Sequence, residues 1–298
     1  MPQSLVATLI ADPSKTGLSD AAIQRFAQAL PGFVSSRWLD CGVAADLFFE
    51  AGDLAASRED LRALALGEAI DIVVQSVEGR AKKLLIADMD STLIGQECID
   101  ELAAEAGVGL AVAAITERAM RGEIAFEPAL RERVALLAGL PESVIARVLA
   151  TRIVLTPGAR TLARTMRARG AYVAIVSGGF TQFTGAIAAR LGANEHRANT
   201  LIVDDGLLAG RVGEPILGRE AKVSALRDLM TRRALAQHET LAVGDGANDL
   251  AMLAAAGLGV AYRAKPAVAA VAHARIDHGD LTALLFAQGI EREEFVES

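Results

Sequence analysis

Aromatic side chains are scarce in this chain, at 4% of 298 residues with a single Trp. A core without rings must be filled by Ala, Leu, Val and Gly, which favours helices packed on a sheet. Cysteine is nearly absent. Cys41 and Cys98 lie far apart and match no metal spacing, which argues against a disulfide framework or a zinc module and predicts two reduced thiols. No basic run occurs, and the net charge of −7 with a pI near 5.3 argues against a nucleic-acid-binding face. The longest apolar runs, residues 106–115 and 250–262, are too short to span a bilayer and contain Gly, so no membrane partner is expected. The N-terminus lacks a basic segment followed by an apolar one, so no signal peptide and a cytoplasmic location are expected.

What is present is a globular composition, 52% hydrophobic and 22% charged, in a length suited to one large domain or two unequal ones. Residues Leu5–Ile10, Val34–Leu39, Asp46–Glu50 and Ile70–Gln75 read as strands. Between them lie a helix over Ser19–Leu30, with Ser19 as cap, and a second helix running to Ala69 with Ser57 and Asp60 as a capping box. The order βαββαβ predicts a small α/β unit over residues 1–80, joined to the rest at Glu78-Gly79-Arg80-Ala81.

Lys82–Ala87 reads as a doubly buried strand, and residues 97–152 as helical, with Gly107 as a stop and Pro128 and Pro141 in first turns. Strands at Tyr172–Val176, Leu241–Val243 and Gly257–Ala261 alternate with helices. Asp204-Asp205-Gly206 signals a hairpin. The expected fold of residues 81–298 is therefore an α/β, Rossmann-like parallel sheet with a helical cap inserted after its first strand. In such sheets ligands bind beyond the carboxyl ends of the strands.

Those strand ends carry unusual residues. Asp88 and Asp90, two apart in extended backbone, point the same way. Asp245 ends another strand. Converging carboxylates need a proton or a cation, and three hard oxygen donors suit Mg²⁺, which also binds phosphate. Asp90 alone would read as a helix cap or turn former, whereas all three at strand ends point to a cation. Ser177-Gly178-Gly179 alone reads equally as a strand-to-helix turn, and Lys222 alone as a surface lysine. His196, His238, His273 and His278 form no ligand set.

The sequence Asp-x-Asp-x-Thr at 88–92, then Ser177, Lys222 and Gly-Asp-Gly-x-Asn-Asp at 244–249, resembles the haloacid dehalogenase superfamily from about Lys82 onward. The stretches 88–103, Ile115-Thr116, Met120, Phe126, Arg133-Val134 and 176–180 are similar to its phosphoserine phosphatases. The resemblance implies hydrolysis of O-phosphoserine to serine and phosphate, the last step of serine biosynthesis. It assigns Asp88 as nucleophile and Asp90 as general acid/base, with Mg²⁺ on Asp88, the Asp90 main-chain carbonyl and Asp245. Ser177, Gly178, Lys222 and Asn248 would bind phosphate. Glu97 and Arg133 would hold the substrate's ammonium and carboxylate, although Arg121 and Arg131 are equal candidates by position. Met120 and Phe126 would form a lid, and Asp249 would support Lys222 or a metal-bound water. The alternative enzyme is a phosphotransferase to an amino-acid alcohol such as homoserine. The first eighty residues resemble an ACT-like regulatory unit, which implies an amino-acid-sensing role and a homodimer.

Overall fold

The computed structural model describes residues 3–12, 15 and 17–297. Its first unit is a four-stranded antiparallel sheet of order β2-β3-β1-β4. The strands are β1 (Gln3–Ala11), β2 (Phe33–Asp40), β3 (Ala44–Ala51) and β4 (Ile70–Ser76). Helices α1 (Asp20–Ala29) and α2 (Leu54–Leu64) lie between them in sequence. β1 is central, so alternate residues serve two faces. Leu5, Ala7 and Leu9 pack with Phe26 of α1 and Leu61 of α2, whereas Ile10, Ala44 and Val73 join the core of the rest of the chain. Ser19 caps α1 as expected, its hydroxyl accepting from the Ala22 amide. For α2 the expectation fails. The cap is Asp53, whose carboxylate accepts from the amides of Ala55 and Ala56, so Ser57 lies inside a helix that ends well before Ala69.

The second sheet has six parallel strands in the order β12-β11-β10-β5-β6-β7. They are β5 (Leu84–Ala87), β6 (Tyr172–Phe180), β7 (Glu195–Asn199), β10 (Thr240–Gly244), β11 (Leu258–Tyr262) and β12 (Ala274–Ile276). Alternation along β5 splits the core. Leu84 and Ile86 face α9 (Arg219–Arg233), α10 (Leu250–Ala255) and the short α11 (Pro266–Ala269), while Leu85 and Ala87 face the side of α7 (Ala159–Ala168), α8 (Thr181–Leu191) and α12 (Ala283–Ala287). Chain order reverses between β5 and β10, which is the switch point where α/β sheets open a crevice.

Four cap helices follow β5: α3 (Cys98–Glu105), α4 (Gly109–Met120), α5 (Phe126–Ala135) and α6 (Ser143–Thr151). The chain leaves and re-enters the sheet through a short antiparallel tie. Ile94 bridges Leu155, and the Thr156 amide donates to the Leu93 carbonyl at 2.9 Å. Pro141 is not in a first turn but in the loop before α6, bridging Leu207. Leu207 begins the second strand of a hairpin, β8 (Leu201–Asp204) and β9 (Leu207–Val212). Asp205 and Gly206, both at positive φ, make its turn.

The two sheets are locked by buried polar contacts at the sequence-predicted joint. Arg80 is 8% exposed and forks onto Asp46, which is fully buried, at 2.5 and 2.7 Å. The same guanidinium donates to Thr8 Oγ1 and to the carbonyls of Phe286 and Ala287 at the end of α12. Asp71 of β4 accepts from the amides of Asp277, His278 and Gly279.

Candidate active site

β5 delivers Asp88 at the switch point. Its amide continues the sheet by donating to Val243 of β10, and its carboxylate accepts from the Met89 amide at 2.7 Å. The chain then turns sharply. Asp90 is extended, Ser91 is left-handed at φ 54°, and residues Met89–Leu93 close one short turn. That turn aims Asp90 inward, where Oδ1 accepts from the Cys98 amide at 3.1 Å and Oδ2 from the Ser177 hydroxyl at 3.4 Å. Burial pushes the Asp90 carboxyl up to about 7, and the charges of Glu97 and Asp88 add to the shift.

Ser177-Gly178-Gly179 sits near the end of β6, beside β5. Gly179 must be glycine, because a Cβ there would stand 2.5 Å from Asp90 Oδ2 and 3.1 Å from Ser177 Oγ. β10 ends at Gly244 and delivers Asp245, whose Oδ1 accepts from Thr92 Oγ1 at 3.0 Å. Burial raises the Asp245 carboxyl, and neighbouring Asp88 raises it further. Asp249 is fully buried. Its oxygens accept from Lys222 Nζ at 2.7 Å and from the Gly246 amide at 3.0 Å. Burial and the Asp88 charge push Asp249 up to about 7.

Lys222, on the first turns of α9, is 2% exposed and pairs with both Asp88 and Asp249. Burial alone would depress the ammonium, but the two carboxylates outweigh it and hold Lys222 protonated.

Asp88, Asp90, Ser177, Gly178, Asp245 and Asn248 line one cavity of about 510 Å³, and Glu97, Met120, Phe126 and Arg133 of the cap close its other side. Met120 is 67% and Phe126 38% exposed. Glu97 accepts from the Ser91 hydroxyl at 2.7 Å, and burial raises its carboxyl. The three arginines left equal by sequence separate here. Arg121 pairs with Glu117 and Glu123, and Arg131 with Glu214 and Glu127, all on the surface. Arg133 lies against the cavity, tethered by the Ala129 carbonyl and Thr116 Oγ1.

One oxygen from each of Asp88, Asp245 and Asp249 lies within 4.8 Å of the others, the only such cluster of possible ligand side chains among the described residues. An all-oxygen donor set at this spacing fits a hard divalent cation of the Mg²⁺ type and offers nothing to softer metals. The roles of Ser91, Thr92 and Asn199 were not apparent in the sequence. Thr92 at the end of the Asp-x-Asp-x-Thr motif was the available signal.

A sequence profile of haloacid dehalogenase-like hydrolases matches residues 85–254, more than half of the chain. The phosphoserine phosphatase of Streptomyces coelicolor is 49% identical over 232 residues, which are 78% of this chain and 56% of that protein. Phosphoserine phosphatase SerB2 of Mycobacterium tuberculosis is 46% identical over 236 residues, 78% of this chain and 58% of that one. The chain thus spans less than two thirds of the length of either relative. A solved HAD family hydrolase from Salmonella enterica serovar Typhi superposes with a TM-score of 0.86 at 32% identity, covering 97% of this chain and 99% of that one.

Proposed function

The chain belongs to the haloacid dehalogenase-like hydrolases, and on that premise we propose that it hydrolyses O-phospho-L-serine to L-serine and phosphate. The observation that carries the substrate is the arrangement of charge along one cavity. The carboxylates Asp88, Asp90 and Asp245 line its floor, while Glu97 and Arg133 line the cap side. With a divalent cation held on that floor, a small substrate with phosphate at one end and an ammonium and a carboxylate at the other would complement the layout. The relatives named phosphoserine phosphatase support the same reading.

Ionised Asp88 attacks phosphorus while the bond to the serine oxygen breaks, leaving an aspartyl-phosphate. Asp90, protonated at the start, gives its proton to the leaving oxygen. It then takes one from water as that water attacks phosphorus and frees Asp88. A carboxyl lifted to about 7 can serve in both directions. Lys222 steadies Asp88 from below, and the Ser177 hydroxyl and Gly178 amide face the phosphoryl oxygens, with Asn248 at the rim. Mg²⁺ would be held by Asp88, the Asp90 carbonyl and Asp245, and supplies charge neutralisation between carboxylate and phosphate. Asp249 is fully buried and, unlike Asp88 and Asp245, does not line the cavity, which suits a supporting role.

The proposal divides the chain into an accessory unit, residues 1–80, and a phosphatase unit, residues 81–298, with the cap at about 97–152. β2 is the free edge of the small sheet and exposes Phe33 and Val34, which favours a homodimer through this unit. Two free cysteines, one of them exposed, suit a cytoplasmic setting.

The test is phosphate release from O-phospho-L-serine with Mg²⁺ and with EDTA. Metal-dependent release supports the reading. A wild type that hydrolyses p-nitrophenyl phosphate but not phosphoserine removes the substrate assignment and leaves the chemistry.

A further inference from the structure

β6 departs from regular pairing where it carries the phosphate loop. Val176 pairs with Arg197 and Phe180 with Asn199, so four steps along β6 face two along β7. The excess is a bulge made of Ser177, Gly178 and Gly179, which leaves the Gly178 carbonyl outside the ladder. A carbonyl left out of its ladder needs another partner, and here a side chain supplies it. Asn199, 2% exposed at the end of β7, donates Nδ2 to the Gly178 carbonyl at 2.9 Å.

The same carboxamide clasps a second segment. Its Oδ1 accepts from the Leu217 amide at 2.7 Å, and Nδ2 also reaches the Leu217 carbonyl at 3.3 Å. One orientation of the carboxamide satisfies all three contacts. Leu217 directly precedes Gly218, the cap of α9, whose first turns carry Lys222. Asn199 therefore ties the loop that presents Ser177 to the helix that presents Lys222, without touching the cavity.

The tie has a chemical consequence. In a planar trans peptide the carbonyl and the next amide point opposite ways. With the Gly178 carbonyl held outward by Asn199, the Gly179 amide points inward, where it donates to Ser177 Oγ at 2.9 Å. That amide occupies a lone pair of the hydroxyl, so the single Ser177 proton is left to point at Asp90 Oδ2 and the cavity.

We propose that Asn199 is a positioning residue which, through the Gly178–Gly179 peptide, fixes Ser177 as a hydrogen-bond donor to the phosphoryl group and holds it in register with Lys222. The proposal deepens the phosphatase reading and rests on it for the role of Ser177.

The test compares Asn199→Ala and Asn199→Asp with wild type, on O-phospho-L-serine and on p-nitrophenyl phosphate, with inorganic phosphate as competitive inhibitor. Asn199→Asp keeps size and the Leu217 amide contact but loses the donor to Gly178. Gln288→Ala, a buried polar side chain at the opposite side of the fold, serves as a stability control. The expected result is a fall in kcat on the order of 100-fold for both esters, the loss typical of a reacting group displaced by about 1 Å. Inhibition by phosphate should weaken in both variants, while Gln288→Ala melts earlier yet keeps its kcat. Wild-type kcat and phosphate inhibition in either Asn199 variant would overturn the proposal, as would a loss in Gln288→Ala equal to theirs. Because p-nitrophenyl phosphate carries no ammonium or carboxylate, its data decide the role of Asn199 even if phosphoserine is not the substrate.

Discussion

The fold buries charge in two places, and they are built on opposite terms. At the junction of the sheets, Asp46 is matched by Arg80, with Arg37, Thr8 and two carbonyls completing the set. Around the cavity, Asp88, Asp90, Asp245 and Asp249 at the strand ends and Glu97 of the cap are set against Lys222 beneath them and, among the described residues, Lys265 and Arg133 along the cavity wall. A buried charge whose partners are all supplied by the chain holds structure together. A cluster in which carboxylates outnumber cations calls for charge from outside, which on the proposed function a metal and a substrate would supply.

The comparison can be broken in both directions. The largest effect expected is on chemistry. Asp88→Asn removes the proposed nucleophile and should lower phosphate release by about 10⁴-fold or more, with the circular dichroism spectrum unchanged. At the junction the reverse is expected. Asp46→Ala strands Arg80 in the interior and should cost about 3–5 kcal/mol in urea unfolding, while kcat per folded molecule stays at the wild-type value. If Asp46→Ala inactivated the enzyme without destabilising it, the junction would not be merely structural.

Metal response should separate the two clusters next. Mg²⁺ at 100 times its dissociation constant should stabilise the wild type by about 2.7 kcal/mol, read as a saturable rise in Tm that EDTA reverses. Asp245→Asn should abolish that rise, and Asp46→Ala should keep it.

The smallest effect concerns pH at the junction. Lys82 donates to the carbonyls of Gly79 and His238, and burial, aided by Arg80, lowers its ammonium from 10.5 to about 8. Between those values the unfolded chain binds more protons than the folded one, so stability from this group rises with pH across that window. Lys82→Met should flatten that rise in urea midpoints measured across the window.

Much of the site was legible because its residues sit at strand ends in fixed order. Asp88, Asp90, Ser177 and Asp245 could be placed once alternating strands and helices implied a parallel sheet. The N-terminal strands were legible from short apolar runs bounded by turn residues, and Ser19 from its capping position. What the sequence hid depends on contacts between distant segments. Arg80 lies beside a Gly in an apparent linker, yet it is anchored by residues far away at 8, 46 and 286. Arg133 differs from Arg131 in which side of α5 meets the cavity, and from Arg121 in that Arg121 ends α4 on the surface. Asn199 belongs to no motif in the sequence, and its use appears only when β6 bulges beside it. The start of α2 was misplaced because Ser57-x-x-Asp60 mimics a capping box while Asp53, one turn earlier, holds the amides.

Transient capture of the phosphoryl group by Asp88 is the step on which the proposed chemistry depends. The direct measurement is an acid quench of a single turnover with phosphorus-labelled O-phospho-L-serine, followed by peptide mapping. Label is expected on the peptide containing Asp88 in the wild type and none in Asp88→Asn. Rapid phosphate release with no label on the protein at any quench time would contradict that capture.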